Sequence, residues 1–339
     1  MIMEKYLSTL ILGILLLVIS ILSLFVGAID IDLGELLSGG DGMELKIFLL
    51  SRIPRLLALL CTGVGMSVAG LIMQQLCMNK FVSPSTGATI QSAQFGILLS
   101  LVFVPGIGLW GRVLLAFGLS ILGTWIFVWF VQKIQFKNTV LVPLIGIMFG
   151  NVLGGITSFI AYKFEVTQQL STYFVGSFSL VIKGNYELVW LAIPLVTIAF
   201  VFANYFNIVG MGKDFSQNLG VNYKLVLFLG LTIAAMITAS VVTIVGQISY
   251  IGLIIPNIVA MFKGDKIKGT LVDTALLGAL FVLVCDVIAR SVIMPYEIPI
   301  ELIVGIIGSV MFIAMLIYKL NHGKKAIRLR KAKEENCCG

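Results

Sequence analysis

The sequence predicts an all-α protein that crosses a membrane many times, and three observations lead to this prediction. Of its 339 residues, 59% are hydrophobic and only 12% are charged, whereas soluble proteins carry roughly 25% charged residues. The apolar residues form long runs, and about 20 of them in a helix cross the hydrocarbon core of a bilayer. Strand-like alternation is absent from the sequence, and unpaired backbone groups are too costly in hydrocarbon for open strands.

Ten apolar segments predict ten transmembrane helices. In chain order they cover residues 6–28, 53–77, 86–104, 110–131, 140–162, 188–206, 225–245, 250–262, 270–291 and 299–319. The first segment is longer than the roughly 7–15-residue core of a signal peptide, so we expect it to be a retained span. The eighth segment is short and contains Pro256, which predicts a half-length or broken helix buried among its neighbours.

The basic residues predict the orientation of these helices. With the N-terminus in the cytoplasm, 16 of the 23 Lys and Arg residues lie inside and 7 lie outside, as the positive-inside rule requires. Both termini are therefore expected in the cytoplasm, and the net charge of +7 is a topology signal rather than a nucleic-acid footprint. Residues 1–320 form one transmembrane domain, and the basic tail 321–339 is expected to be a solvated arm near anionic lipid. The segments 29–51 and 163–187 are expected to form structured extracellular rims.

The sequence contains no motif for catalysis or for a bound metal. It has neither a His-Glu-x-x-His run, nor a Gly-x-Ser-x-Gly elbow, nor a Gly-x-x-x-x-Gly-Lys-Ser/Thr phosphate loop. Its single histidine, His322, lies in the basic tail. We therefore expect no enzyme activity and no bound cofactor, so that any ATP and Mg²⁺ would be held by a partner chain. Cys337 and Cys338 could be palmitoylated or bind a metal, but a solvated, disordered tail is the favoured interpretation for these residues.

Intramembrane polar residues are few. Asp286 and Arg290 are four residues apart, which places them on one helix face as a local ion pair. A proton relay would need more such groups, so their scarcity counts against an ion-coupled secondary transporter. Gly146, Gly150 and Gly154 form a small-residue stripe that predicts close helix contact, and that would also let helices slide.

The segment 209–226 predicts a short amphipathic helix between two spans. Asp214 is expected to cap its N-terminus, Phe215 and Leu219 share one face, and Gly220 suits the position after its end. Such a helix either lies at the lipid interface or docks a cytoplasmic partner, and composition does not separate these alternatives.

Six stretches of the sequence carry a family resemblance: RIPRLLA from Arg52, GLIMQQL from Gly70, NKFVSPSTG from Asn79, LGVN from Leu219, GQISYIGLIIPN from Gly246 and EIPIELIVGIIG from Glu297. They resemble, in order from about residue 45 to 320, the FecCD-type permease family. That family imports ferric siderophores, haem and vitamin B12 with a binding protein and an ATPase. The stretch around residues 70–90 is most similar to permeases for catecholate-type siderophores of Gram-positive bacteria.

The resemblance implies an architecture and a set of partners. It implies ten helices in two inverted five-helix halves, and a homodimer or pseudo-dimer around a central path. Segment 209–226 would form the coupling helices seated on a cytoplasmic ATP-binding subunit. Arg52, Arg55 and Arg290 match outward-facing arginines that receive acidic residues of a lipid-anchored or periplasmic substrate-binding protein; topology anchoring by snorkelling is the alternative. The second permease would be a copy of this chain or a paralogue.

The predicted function is translocation of a ferric siderophore into the cytoplasm, with haem or cobalamin as alternative cargo and a secondary transporter or a membrane enzyme as alternatives of another class. Polar side chains expected along the path are those of Gln74, Gln75, Ser85, Thr86, Gln91 and Gln94. These residues would serve equally well as interhelical hydrogen-bond partners. Asn257 stands where many family members have His, which is a departure from the family's pattern.

Overall fold

The computed structural model describes residues 2–27, 43–133, 141–179, 181–184, 186–264, 267–294 and 296–337. The first half of the described chain forms α1 (Ile2–Phe25), α2 (Met43–Ile47), a π-helical turn (Phe48–Arg52), α3 (Ile53–Leu76), α4 (Thr89–Phe103), α5 (Leu109–Lys133), α6 (Leu141–Lys163) and α7 (Thr167–Phe174). The second half forms a 3₁₀ turn (Glu187–Leu191), α8 (Ala192–Val209), α9 (Lys213–Asn218), α10 (Tyr223–Val245), α11 (Ile251–Lys263), α12 (Ile267–Ser291) and α13 (Ile300–Cys337).

The ten predicted apolar segments each coincide with one apolar helix of the described chain. Eight of these helices are long and apolar enough to cross a membrane, and α4 and α11 are shorter. The half-length eighth helix is confirmed as α11, which has 13 residues and contains Pro256. The short α4 was not predicted, because the segment 86–104 was expected to be helical from its beginning and the helix begins only at Thr89.

Two boundaries differ from the prediction. Helix α13 continues through the basic segment to Cys337, so the tail expected to be a solvated, disordered arm extends the last helix. The predicted rim 163–187 contains α7 and the beginning of the 3₁₀ turn. Of the other predicted rim, residues 28–42 lie outside the described part of the chain.

Helices α3 and α10, the second apolar helices of the two halves, form the centre of the molecule. The apolar window of each is 72% buried, whereas that of α1 is only 6% buried. Glycines bring α3 close to its neighbours: a Cβ at Gly63 would lie 2.5 Å from the Gly278 carbonyl oxygen of α12, and a Cβ at Gly70 would overlap the Gly252 carbonyl of α11. The core is therefore built on direct backbone approach, as small residues permit in membrane proteins.

Polar contacts attach the peripheral helix α1 to α12 at two levels. Near its beginning, the Thr9 hydroxyl donates to Asp273 at 2.6 Å, and the same carboxylate lies 2.7 Å from Lys263 at the end of α11. Near its end, Arg290 Nη2 donates to the Ser23 hydroxyl at 2.7 Å. Since α1 buries little apolar surface, these contacts position it.

Candidate translocation and docking sites

Two non-helical segments interrupt the membrane domain at equivalent positions in the two halves. Residues 77–88 connect α3 to α4, and residues 246–250 connect α10 to α11. Both short helices begin directly after a residue in the left-handed region, Ala88 with φ 59° and Tyr250 with φ 68°. Irregular backbone at membrane depth is tolerated only where it is buried or lines a cavity, and paired short helices point to the substrate site of a transporter.

Ser85 and Thr86 lie in the first of these segments and line a cavity of about 620 Å³. The Thr86 hydroxyl accepts from the Ser83 amide at 2.9 Å and donates to the Phe81 carbonyl at 3.0 Å, so it also stabilises the turn. Tyr250 of the second segment lines the same cavity, together with residues of α6 and α13. The cavity thus joins the interruptions of both halves, and its lining is mainly apolar.

Gln74 stabilises the broken helix α11 rather than pointing into the larger cavity. Pro256 has no N–H to bond the Gly252 carbonyl four residues earlier. Gln74 Nε2 donates to that carbonyl at 3.1 Å and to the Leu253 carbonyl at 3.2 Å. Gln74 therefore forms interhelical hydrogen bonds, which was the alternative to a position along the path. It also lines a second cavity of about 280 Å³ with its neighbour Gln75.

The other two predicted path residues lie on α4. Gln94 Nε2 donates to Gln247 Oε1 at 3.1 Å, which connects α4 to the segment before α11. Gln91 lies against Gly150 of α6, and its Oε1 is buried with no hydrogen-bond partner among the described residues. The glycine stripe is in close contact at Gly146 and Gly150, but Gly154 has open space around it.

The three arginines expected to dock a binding protein belong to a buried network where α3 begins and α12 ends. Arg55 lies 2.8 Å from both Asp286 and Glu297, and Arg290 lies 2.7 Å from Asp286, which confirms the ion pair expected from their spacing. Arg52 donates to the Val26 carbonyl. These side chains are largely inaccessible in this structure, so docking stays a prediction that requires the network to rearrange.

Sequence reasoning assigned no role to Glu297, although it begins one of the stretches that resemble the family. Its carboxylate lies between α12 and α13. It accepts one hydrogen bond from Arg55 Nη1 and another, at 2.6 Å, from the Ser179 hydroxyl. Burial alone would raise the pKa of Glu297, but the Ser179 hydrogen bond and the charge of Arg55 outweigh it, so the pKa lies below its ordinary value of 4.5.

The short helix predicted in segment 209–226 is α9. Its N-cap is Gly212 rather than Asp214; Asp214 lies in the first turn, where its negative charge still interacts favourably with the helix dipole. Gly220 has φ 73°, as the predicted turn after the helix requires. Phe215 and Leu219 are 43% and 55% exposed, so this apolar face is uncovered in the single chain.

Metal-binding residues do not cluster in the described part of the chain. No group of three or more His, Cys, Asp or Glu side chains is placed there to hold an ion. The polar groups brought together are amides, hydroxyls and paired charges, at interrupted helices around cavities. That arrangement defines a multi-pass membrane permease.

Comparison with known proteins identifies the family. The chain belongs to the FecCD transport family, whose model matches residues 15–318. It is 45% identical to the petrobactin import system permease protein YclN of Bacillus subtilis (strain 168), over 90% of this chain and 96% of that protein. It is 38% identical to the ferric-anguibactin transport system permease protein FatD of Vibrio anguillarum, over 87% of this chain and 94% of that protein.

A solved structure agrees with the architecture. The chain superposes on a structure described as an inward-facing conformation of a metal-chelate type ABC transporter with a TM-score of 0.79. The superposition covers 92% of this chain and 99% of the other at 24% sequence identity. The two chains therefore share one fold.

Proposed function

We propose that this chain is the transmembrane permease of a binding-protein-dependent ABC importer, and that it moves a ferric siderophore into the cytoplasm. The observation that carries the proposal is the match along almost the whole chain to permeases of petrobactin and ferric-anguibactin import systems. The cavity between the two interrupted segments supplies a place for the cargo to pass. A catecholate-type siderophore is the proposed cargo, since petrobactin permeases of two Bacillus species are among the relatives.

The energy for transport would come from a separate subunit. The sequence has no phosphate-binding loop, so ATP and Mg²⁺ would bind to a cytoplasmic ATPase. Helix α9 is the proposed contact with that subunit, because Phe215 and Leu219 form an exposed apolar face between two spans. The Ser216 hydroxyl donates to the Ile208 carbonyl at 3.1 Å, which attaches α9 to the end of α8. A movement of α9 caused by the ATPase would therefore also move α8 in the membrane domain.

A second permease would complete the path. Helices α6 and α13 line the larger cavity, yet only 22% of the apolar window of each is buried within the chain. A second copy or a paralogue facing these helices would enclose the cavity on the side that the single chain leaves open. The membrane lipid would cover the remaining apolar surface.

Uptake of ⁵⁵Fe-labelled petrobactin tests the cargo. A bacterial strain without its own petrobactin permeases would produce the chain together with its binding protein and ATPase. We expect uptake of ferric petrobactin, and no uptake when the chain is omitted. A ferric hydroxamate is the control for cargo class. Uptake of haem or cobalamin without uptake of ferric petrobactin would contradict the proposal.

The orientation is proposed from the charge asymmetry, with both termini in the cytoplasm. Lys163 is exposed at the end of α6, and Lys213 is exposed at the beginning of α9. The predicted topology places these two residues on opposite sides of the membrane. Single cysteines at these positions in a cysteine-free chain should differ toward an impermeant thiol reagent on intact cells. We expect labelling at position 163 alone. Labelling at position 213 alone would show that the chain has the opposite orientation.

A further inference from the structure

We propose that a cavity beside Arg112 is a binding subsite for an anionic oxygen group of the iron chelate on its way into the membrane domain. The proposal rests on the proposed function and adds a site to it. The cavity has a volume of about 440 Å³ and lies between the beginning of α5, helix α7 and the end of α10. Ligand pockets commonly have roughly 300–1,000 Å³, so one arm of a siderophore would fit here.

The guanidinium of Arg112 lacks the ionic partners that the other arginines have. Arg55 and Arg290 each lie 2.8 Å or less from a carboxylate, whereas none of the described carboxylates forms an ion pair with Arg112. Its Nη1 donates to the Tyr173 hydroxyl, and its Nε is buried with no hydrogen-bond partner among the described residues. A donor left in this state costs free energy, and a bound anion would remove that cost.

The position of Arg112 adds to this cost. It is the fourth residue of α5, so its positive charge lies close to the positive end of the helix dipole. Neither the missing acceptor nor the charge–dipole repulsion stabilises the fold. Both favour an anion in front of the guanidinium.

The cavity walls match a catecholate or carboxylate ligand. A guanidinium presents a planar fork that fits two adjacent anionic oxygens. The Arg112 guanidinium lies over one face of the Tyr173 ring, with Cζ 4.9 Å from the ring centroid, so the ring orients the guanidinium at the cavity wall. Gln169, Thr172 and Ser177 also line the cavity. The Gln169 amide can donate to a further oxygen, whereas the hydroxyls of Thr172 and Ser177 already donate to the Gln168 carbonyl and the Ser179 hydroxyl. A ferric complex of several catecholate groups carries net negative charge, which this lining would attract.

A structural role is the alternative explanation, in which Arg112 only holds α7 against α5 through Tyr173. The two roles are separated by four variants. Arg112→Gln removes the charge, Arg112→Lys keeps it, and Tyr173→Phe removes the hydroxyl anchor but keeps the ring. Lys163→Gln is the control, because Lys163 is exposed at the end of α6 and does not line the cavity.

Equilibrium dialysis of ⁵⁵Fe-petrobactin against the detergent-purified full-length chain measures the subsite. We expect Arg112→Gln to weaken binding about tenfold or more, as loss of a charge-assisted hydrogen bond does. Arg112→Lys should weaken it less, Tyr173→Phe should also weaken it less than Arg112→Gln because the guanidinium charge remains, and Lys163→Gln should stay close to the wild type. The thermal unfolding temperature of each variant is measured in parallel. Wild-type-like binding by Arg112→Gln, or no binding by the wild type, would overturn the proposal.

Two further arms distinguish the remaining sources of the effect. If Tyr173→Phe loses as much binding and thermal stability as Arg112→Gln, Arg112 is an anchor and the proposal fails. If added phosphatidylglycerol displaces the chelate from the wild type and binds Arg112→Gln less well, the anion is a lipid phosphate and the proposal also fails. Failure of the proposed function itself has another signature: the wild-type importer takes up no ferric petrobactin in cells.

Discussion

Arg55 Nη1 lies 2.8 Å from Glu297 Oε1, although the two residues are 242 positions apart in the chain. The same guanidinium reaches Asp286 at 2.8 Å through Nη2, and Asp286 in turn pairs with Arg290. One connected network therefore joins the beginning of α3, the end of α12 and the segment that precedes α13. Because Asp286 is only 1% exposed, the arrangement is stable only while its charge is balanced.

The first prediction concerns the pH dependence of stability. Because the pKa of folded Glu297 lies below 4.5, its charge stabilises the fold fully above that value, and this contribution is lost as the pH falls through the folded pKa. Glu297→Gln should therefore unfold at a lower temperature than the wild type at pH 7, and the difference should vanish in more acidic buffer. Thermal unfolding in detergent measures it, with the exposed Glu165→Gln as control. A difference that grows on acidification would contradict the assignment.

The second prediction concerns docking of the binding protein. If acidic residues of that partner bind Arg55, they must compete with Glu297 for its guanidinium. Arg55→Gln should then weaken association with the binding protein, whereas Glu297→Gln should strengthen it by freeing Arg55 Nη1, while Nη2 stays paired with Asp286. Association of the purified proteins is measured by surface plasmon resonance on material checked for folding.

A loss of stability in the variants must be distinguished from a loss of docking. Removing one partner of a buried ion pair costs about 3–5 kcal/mol, so Arg55→Gln is expected to lower the unfolding temperature as well. Glu297→Gln also destabilises, yet its predicted effect on association has the opposite sign. Weaker association in both variants would mean that the network is only structural. Unchanged association in both would remove Arg55 from docking.

The sequence was sufficient to predict the helices, because a membrane-spanning helix is specified by local composition. It did not predict that α4 begins only at Thr89. The residue before it, Ala88, has φ 59°, a conformation that alanine has no intrinsic preference for and that only the surrounding packing imposes. The same limit applies to Tyr250 before α11, whereas the Pro in that segment did signal a break.

The candidate sites were predicted only where spacing carries information. Asp286 and Arg290 are one helical turn apart, so their pairing was predictable. The Arg55–Glu297 pair and the Gln74–Gly252 hydrogen bond connect residues far apart in the chain, and no local pattern encodes them. For the same reason the sequence pattern assigns no role to Arg112, which contacts Tyr173 of α7 only in the folded chain.

The third prediction concerns packing at Gly70. A Cβ there would overlap the Gly252 carbonyl, and backbone atoms of two helices cannot yield as a flexible side chain does. Gly70→Ala should destabilise the chain by about 1–3 kcal/mol and reduce transport. Gly154→Ala is the matched control, because that helical glycine has open space around it. Equal unfolding temperatures for the two variants would show that α3 and α11 are not packed this closely.

The fourth prediction tests whether Gln74 supports α11. Gln74→Leu would leave the Gly252 carbonyl without its side-chain donor, at a cost of about 1–3 kcal/mol for a buried group, whereas the Leu253 carbonyl keeps the Asn257 side-chain amide at 2.7 Å. Gln75→Leu is the neighbouring control. Within the described part of the chain, the Gln75 side chain forms no hydrogen bond to a backbone carbonyl of α11. A lower unfolding temperature is expected for Gln74→Leu alone. If both variants lose transport at normal stability, the two amides act in the path instead.

The last prediction concerns the ATPase contact at α9. Phe215 is 43% exposed, so Phe215→Asp should leave the fold of the chain nearly unchanged. In an interface with the ATPase, the same substitution would bury an unpaired carboxylate, which is costly unless it finds a partner. The variant should reach the membrane, fail to copurify with its ATPase and fail to transport. Gln217→Asp adds the same charge to an exposed polar position of α9 and should be tolerated. Because binding-protein association is outside the altered region, it should persist in both variants. If Phe215→Asp copurifies with the ATPase and transports like the wild type, α9 lies at the lipid interface and has no coupling role.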